Sequence, residues 1–232
     1  MTIQELAEWR PYLYHIMRQQ DQEMVRANGL RSATALINNG AVNGSVSWRW
    51  VNAVAWQQAT PHDLVRQLRT ESIEVQFNPQ PVVLRDQHPL GGPNGLIALQ
   101  QVLNDGLTPE DWLNVLNARV FLFPCRGPND PTMCAKGEIF RNANGPDLSV
   151  LAIKTCRIPK GLADKIELAK INGGAVNGMA GRGNDTYTPL SLFLVTEQNE
   201  IQEITIRNGA TVDELLACSV SPWFNDNRQG AA

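Results

Sequence analysis

The sequence is poor in the residues that build covalent or metal frameworks. Its four cysteines, Cys125, Cys134, Cys156 and Cys218, form no C-x-x-C pair, and its three histidines, His15, His62 and His88, stand far apart. That scatter offers no metal-ligand spacing, so no metal is expected, and it excludes the disulfide-dense scaffold of small secreted domains. A Cys125–Cys134 bridge is the one alternative to four free thiols. No apolar run approaches the roughly 18 residues of a membrane helix, and no N-terminal stretch reads as a signal peptide. The expectation is a reduced, cytoplasmic chain with no membrane partner. Positive charge is also short: 20 Lys and Arg stand against 23 Asp and Glu, a formal net charge of -3. That balance argues against a generally basic nucleic-acid binder. The phosphate and nucleophile motifs are missing too. There is no G-x-x-x-x-G-K-[ST] loop, no G-x-S-x-G elbow, no H-E-x-x-H, and no G-x-G-x-x-G after a strand, which disfavours a doubly wound dinucleotide fold.

What is present is enough apolar residue for a real core: 43% of 232 residues. One domain over residues 1–225 is expected, with 226–232 a frayed end. Thr2, with Glu5 three residues on, caps a short helix through Trp9 that Pro11 ends. Tyr12-Leu13-Tyr14 then reads as a strand leading into His15 and a polar helix, in which Ile16, Met24 and Val25 recur at roughly helical spacing. Asn28-Gly29 is the dipeptide expected where a helix closes in a left-handed cap. His15 thus reads as a strand-to-helix corner residue, facing a cleft.

Farther along, Thr60-Pro61 and Thr108-Pro109 both read as helix starts, with the threonine capping and the proline at the first helical position. Strands are expected at 81–84, 119–123, 149–154, 166–171 and 201–206. The gly- and asn-rich stretch 38–47 and the segment 125–145 read as loops. Trp48, Trp50 and Trp56 follow the first of these, either as lobe packing or as a base-stacking platform. Helices early and strands crowded late point to an α+β domain with a mixed or antiparallel central sheet and flanking helices.

The Tyr14-His15 pair, the polar stretch, and the Gly29-Leu30 stop followed by Ser32 resemble the opening of ADP-ribosyltransferase-like folds, such as the DNA ADP-ribosyltransferase toxins. More closely, the chain resembles a bacterial domain family of unknown function with that opening. Arg85-Asp86-Gln87, Asn117-x-Arg119-Val120-Phe121, Arg182-Gly183 and Asp185-Thr186-Tyr187 match it in order. The resemblance implies NAD as substrate, a protein or nucleic-acid acceptor, and ADP-ribose transfer or NAD hydrolysis. It places His15, with Tyr14 and Ser32 beside it, at the nicotinamide-side ribose.

Cleavage of a nicotinamide–ribose bond passes through a cationic sugar, so a carboxylate belongs near the ribose. Glu203, on a late strand whose alternation sets it opposite Ile204 and Ile206, is the candidate acid, with Glu197 and Glu200 as alternatives. Arg85 and Arg119 can clamp a pyrophosphate or pair with a structural carboxylate. Asn117 and Gln87 can read an amide or base edge, or brace loops. The glycine-rich stretch 172–183 can bring backbone N–H groups and Arg182 to phosphate oxygens, and Tyr187 can stack on nicotinamide or adenine. Two readings of other classes stand beside this one: a nucleotide- or nucleic-acid-binding module without catalysis, and a protein-interaction partner.

Overall fold

The computed structural model describes residues 1–42, 73–77, 80–84, 95–125, 147–174 and 180–221. The expected helix at Thr60, the three clustered tryptophans, Arg85, Gln87 and the Cys125–Cys134 pairing lie outside those residues.

Helix starts follow the expected chemistry. The Thr2 hydroxyl accepts from the Glu5 N–H while the Glu5 carboxylate accepts from the Thr2 N–H, and this closes the N-terminus of α1 (Ile3–Trp9). Thr108 and Asp111 repeat the reciprocal pair, with Pro109 at the first position of the helix Pro109–Asn117. A third such box, Thr211 with Glu214, starts the helix Val212–Cys218. The remaining helices are α2 (Gln22–Asn28), α3 (Ala33–Asn39), α4 (Gly95–Val102) and a single turn, Lys160–Ala163. Numbered in chain order, Pro109–Asn117 is α5, Lys160–Ala163 is α6 and Val212–Cys218 is α7.

Among the described residues, nine strands make two sheets. The larger contains β1 (Tyr12–Arg18), β5 (Arg119–Cys125), β6 (Leu148–Lys154), β7 (Ile166–Ala169), β8 (Thr188–Pro189) and β9 (Glu203–Arg207), in the order β6-β1-β5-β9-β7-β8. Every neighbouring pair is antiparallel. The smaller sheet is β2 (Ala41–Val42), β3 (Ile73–Phe77) and β4 (Gln80–Leu84), also antiparallel. The molecule is therefore α+β, with a six-stranded antiparallel sheet and short helices. No helix among the described residues is long and apolar enough to cross a membrane.

One face of the large sheet carries Leu13, Leu151, Val120, Leu122, Ile204 and Ile206 into the main core. Met24 and Val25 of α2, Leu36 and Ile37 of α3 and Val82 and Leu84 of β4 belong to the same core, which joins the two sheets. A second, smaller cluster holds Trp112, Leu113 and Leu116 of α5 with Leu99, Ala169 and Tyr187, and Phe121 packs against it.

The expected corner after Tyr14 is a correction. The strand continues to Arg18, a 3₁₀ turn follows over Gln19–Asp21, and the helix begins only at Gln22. The reason lies in burial. β1 is paired on both sides and packed on both faces, so its buried positions repeat every three residues instead of every two. That spacing imitates a helix in the sequence.

The helix stops at Asn28-Gly29 as expected, but with ψ of -174° Gly29 is not the left-handed helical cap that was expected. Gly29 has φ of 79° and its N–H donates to the Val25 carbonyl. The close approach next to it explains why glycine is needed: Leu30 bridges Ala210, with Ala210 N–H donating to the Leu30 carbonyl at 2.9 Å. A Cβ on Gly29 would fall on the Ala210 carbonyl oxygen, and one on Gly209 (φ 86°) would fall on that of Leu30. Two glycines thus let two backbones cross in contact. Gly106, with φ of 70° and nothing near its would-be Cβ, isolates the dihedral cost alone. Gly106→Ala is expected to destabilise by about 1–2 kcal/mol, and Gly29→Ala by clearly more, as read from urea unfolding midpoints. Equal losses would mean that the crossing tolerates a side chain.

Candidate functional site

Strand β5 has a partner along each edge, but one of them stops early. β1 pairs with it only at Tyr12↔Cys125, Leu13↔Pro124 and Tyr14↔Phe123. Beyond that, β1 stays paired to β6 as far as Arg18↔Leu148, and β5 stays paired to β9 as far as Arg119↔Arg207. The two strands part company, and a cavity of about 440 Å³ occupies the resulting seam. That size lies within the roughly 300–1,000 Å³ of small-molecule sites. Met24, Val25, Leu36 and Val82 from the main core form apolar wall, while Leu116 and Phe121 bring in the second cluster. Polar groups are few: His15, Arg18, Asp21, Arg31, Asn117, Arg119 and Asn172.

His15 stands in the middle of β1, opposite Leu151, where the seam opens. Its Nδ1–H donates to the Phe121 carbonyl at 3.0 Å. This bond satisfies a β5 backbone acceptor that β1 no longer reaches. Because the partner is a carbonyl, Nδ1 carries the proton and Nε2 keeps the lone pair of the neutral ring. Burial pushes the His15 pKa down, with the Phe121 bond opposing in part. The neutral imidazole is thus favoured, suited to accepting a hydrogen bond from a ligand hydroxyl.

Glu203 opens β9 and is held by two donors on the same oxygen: Oε2 accepts from the Tyr187 hydroxyl at 2.9 Å and from Gly173 N–H at 3.1 Å. Trp112 Nε1–H donates to the Gly173 carbonyl at 3.1 Å, so both backbone polar groups of this one glycine are held by side chains. The Tyr187 ring is buried, stacked on Trp112 with centroids 6.0 Å apart, and has the Arg119 guanidinium 4.3 Å from its centre. Burial, then the Glu203 carboxylate, raises the Tyr187 pKa well above its ordinary value, so the phenol remains a donor. Here the ring expected to stack on a ligand faces Trp112 and Arg119. Its ring contacts are with the protein.

The arginines are mostly committed. Arg119 Nε lies 2.8 Å from Glu167 Oε2 in an ion pair not aligned as a hydrogen bond, and its Nη1 donates to the Val115 carbonyl at 2.6 Å. Of the two roles weighed for Arg119, pairing with a structural carboxylate is the one observed, although the side chain also lines the cavity. Arg182 is buried and donates to the carbonyls of Ala180 and Asn172 at 2.8 and 3.2 Å. Burial lowers its pKa, opposed by Tyr187 and Glu203. Here Arg182 shapes the glycine-rich loop through main-chain oxygens.

His15, Asn117 and Arg119 of the sequence-predicted residues line the cavity. Tyr14, Ser32, Arg182, Tyr187 and Glu203 do not. Tyr14 is buried beside Tyr12, and Ser32 caps α3 by accepting from the Ala35 N–H. Glu203 reaches the site at one remove, through Gly173, whose neighbours Asn172 and Gly174 are cavity residues. The alternative acids Glu197 and Glu200 both pair with Lys170, at 2.9 and 3.2 Å. Sequence reasoning missed Arg18, Asp21 and Arg31. The signal for Arg18 was the apolar pair Ile16-Met17, which extends β1 to it; Asp21 is the one carboxylate among the described residues that lines the cavity. No group of three His, Cys, Asp or Glu able to hold a metal occurs among the described residues.

Residues 11–220 match a family of unknown function, DUF7002, and the chain belongs to that family. No curated protein and no solved structure matches it.

The state of His15 sets a pH test. With the folded-state pKa below the unfolded value near 6.5, the unfolded chain takes up a proton that the folded chain resists, so stability falls as pH drops below about 6.5. His15→Ala is expected to lose that part of the pH dependence and to cost about 1–3 kcal/mol at pH 8 through the unpaired Phe121 carbonyl. Urea titrations across pH 5–8 check both; parallel curves for parent and variant would show that His15 titrates alike in both states.

Proposed function

We propose that this DUF7002 chain is an NAD-consuming enzyme of the ADP-ribosyltransferase type, binding NAD in the seam cavity and passing ADP-ribose to a protein or nucleic-acid acceptor or to water. The observation that carries the reading is convergence on one strand. His15 is tied to Phe121 of β5, Tyr187 lies against Arg119 of β5, and Glu203 starts β9, the strand that pairs with β5. All three are candidates put forward by the sequence, drawn from positions up to 188 apart in the chain.

In this reading, His15 Nε2 accepts a hydrogen bond from a ribose hydroxyl and fixes the sugar at the mouth of the seam. Asn117, buried and lining the cavity, faces the amide. The bond between ribose C1′ and the nicotinamide nitrogen breaks with its electron pair leaving on nicotinamide, and a carboxylate steadies the cationic sugar. The acceptor's oxygen or nitrogen then bonds to C1′ and gives its proton to that carboxylate or to water. Glu203, oriented by Tyr187 and Gly173, is the assigned acid. Asp21, which lines the cavity directly, is the competing one.

A second reading has an observation of its own. Glu203 stands behind the loop and outside the cavity lining, as suits a chain that binds the nucleotide without cleaving it.

A thermal-shift titration with NAD, run alongside detection of released nicotinamide, separates the readings. The enzyme reading expects a rise in melting temperature, and release that falls at least about a hundredfold in His15→Ala and in one of Glu203→Gln or Asp21→Asn. A shift with no release identifies the binding module. No shift at saturating NAD rejects both.

A further inference from the structure

We propose that Arg18 and Arg31 form the anion-recognition end of the seam cavity, taking the diphosphate of a small nucleotide whose sugar and base lie toward His15 and Phe121. The proposal rests on the seam being a ligand site, as above, but not on the ligand being cleaved.

Both arginines line the cavity, both are half-buried, and the Nε of each is buried with no hydrogen-bond partner. No ion pair to either occurs among the described residues. The third cavity arginine, Arg119, also has an unbonded Nε, but its charge is met by Glu167. Asp21 is the only acid among the described residues that lines the cavity, so the charged groups there leave a net positive site with His15 neutral. A buried guanidinium N–H without an acceptor is costly, and a diphosphate supplies oxygens in the geometry that a guanidinium fork matches.

The backbone presents both groups rigidly. Arg18 ends β1 in register with Leu148, and the next residue, Gln19, donates its N–H to the Asp147 carbonyl at 3.0 Å. Arg31 follows Leu30, whose carbonyl is fixed by Ala210 at the glycine crossing. Along the strand, Arg18 lies about 10 Å from His15. Three residues apart, the two side chains leave opposite faces of the strand, so one ligand reaches both only around the edge of β1 that the seam leaves unpaired from β5, with a sugar hydroxyl at His15 and its phosphates at the arginines. The apolar wall beside His15, with Phe121 and Phe123, suits a planar base or ring carried on the side of the sugar away from the phosphates.

The test measures binding of inorganic pyrophosphate and of ADP-ribose by calorimetry at low and moderate salt, on the parent, Arg18→Gln, Arg31→Gln, Arg18→Lys and the surface control Lys160→Gln. Expected are binding to the parent that weakens with salt, a loss of about tenfold or more in each Gln variant, a smaller loss in Arg18→Lys, and none in the control. Unliganded melting curves identify any variant that fails to fold, and Arg18→Lys keeps the test decisive in that event. No binding of either probe to the parent, or equal binding to parent and Gln variants, overturns the proposal. Arginine-dependent pyrophosphate binding without nicotinamide release keeps the anion site and rejects NAD cleavage. Nicotinamide release unchanged in both Gln variants does the reverse.

Discussion

The early end of hydrogen bonding between β1 and β5 is the constraint on which the rest of this molecule depends. Beyond Tyr14↔Phe123 the two strands diverge while each stays fully paired on its other edge. A sheet that parts in this way exposes main-chain acceptors in its own interior, and each needs a partner. His15 supplies one to Phe121. The helices α2 and α3 and the strand β4 then close over the gap, and the volume they leave is the cavity. A histidine that looks catalytic in the sequence is thus first a structural device, and the same bond that repairs the sheet also sets which ring nitrogen can meet a ligand.

Charge is handled differently on the two sides of the seam. Behind it, Arg119 pairs with Glu167, Tyr187 with Glu203, and Arg182 with two carbonyls, a connected set of polar contacts around the second core. Such a network is favourable only when its members are satisfied together, which makes the Gly173 backbone a keystone: Trp112 holds its carbonyl and Glu203 its N–H. In front, toward α2, Arg18 and Arg31 have no ion pair among the described residues. Rigid support behind and available donors in front is the arrangement expected of a binding site built on a scaffold.

How much of this could be read from the sequence depended on whether the signal was local. The helix starts at Thr2 and Thr108 and the stop at Gly29 were legible because capping boxes and positive φ are decided within four residues. The strand cores around 81–84, 119–123 and 149–154 were legible from composition, although β5 runs on through Pro124 to Cys125. His15 was found as a residue but misplaced in structure, because a strand buried on both faces loses its alternation. The partners of Glu203, Arg119 and Arg182 were not legible at all. The contacts Arg182–Asn172, Tyr187–Glu203 and Arg119–Glu167 join positions 10, 16 and 48 residues apart, and nothing in the neighbourhood of either member announces the other.

The placement of β9 has a consequence for how the chain is made. It lies between β5 and β7 in the sheet yet comes after both in the sequence. During synthesis, β5 and β7 emerge with facing edges that nothing yet joins, and Val120, Leu122, Ile166 and Leu168 have no Ile204 or Ile206 to pack against. The nascent chain therefore passes through a stage with two open strand edges flanking a slot one strand wide, the kind of surface on which a foreign strand can add. Only when residues 203–207 leave the ribosome can the chain occupy its own slot.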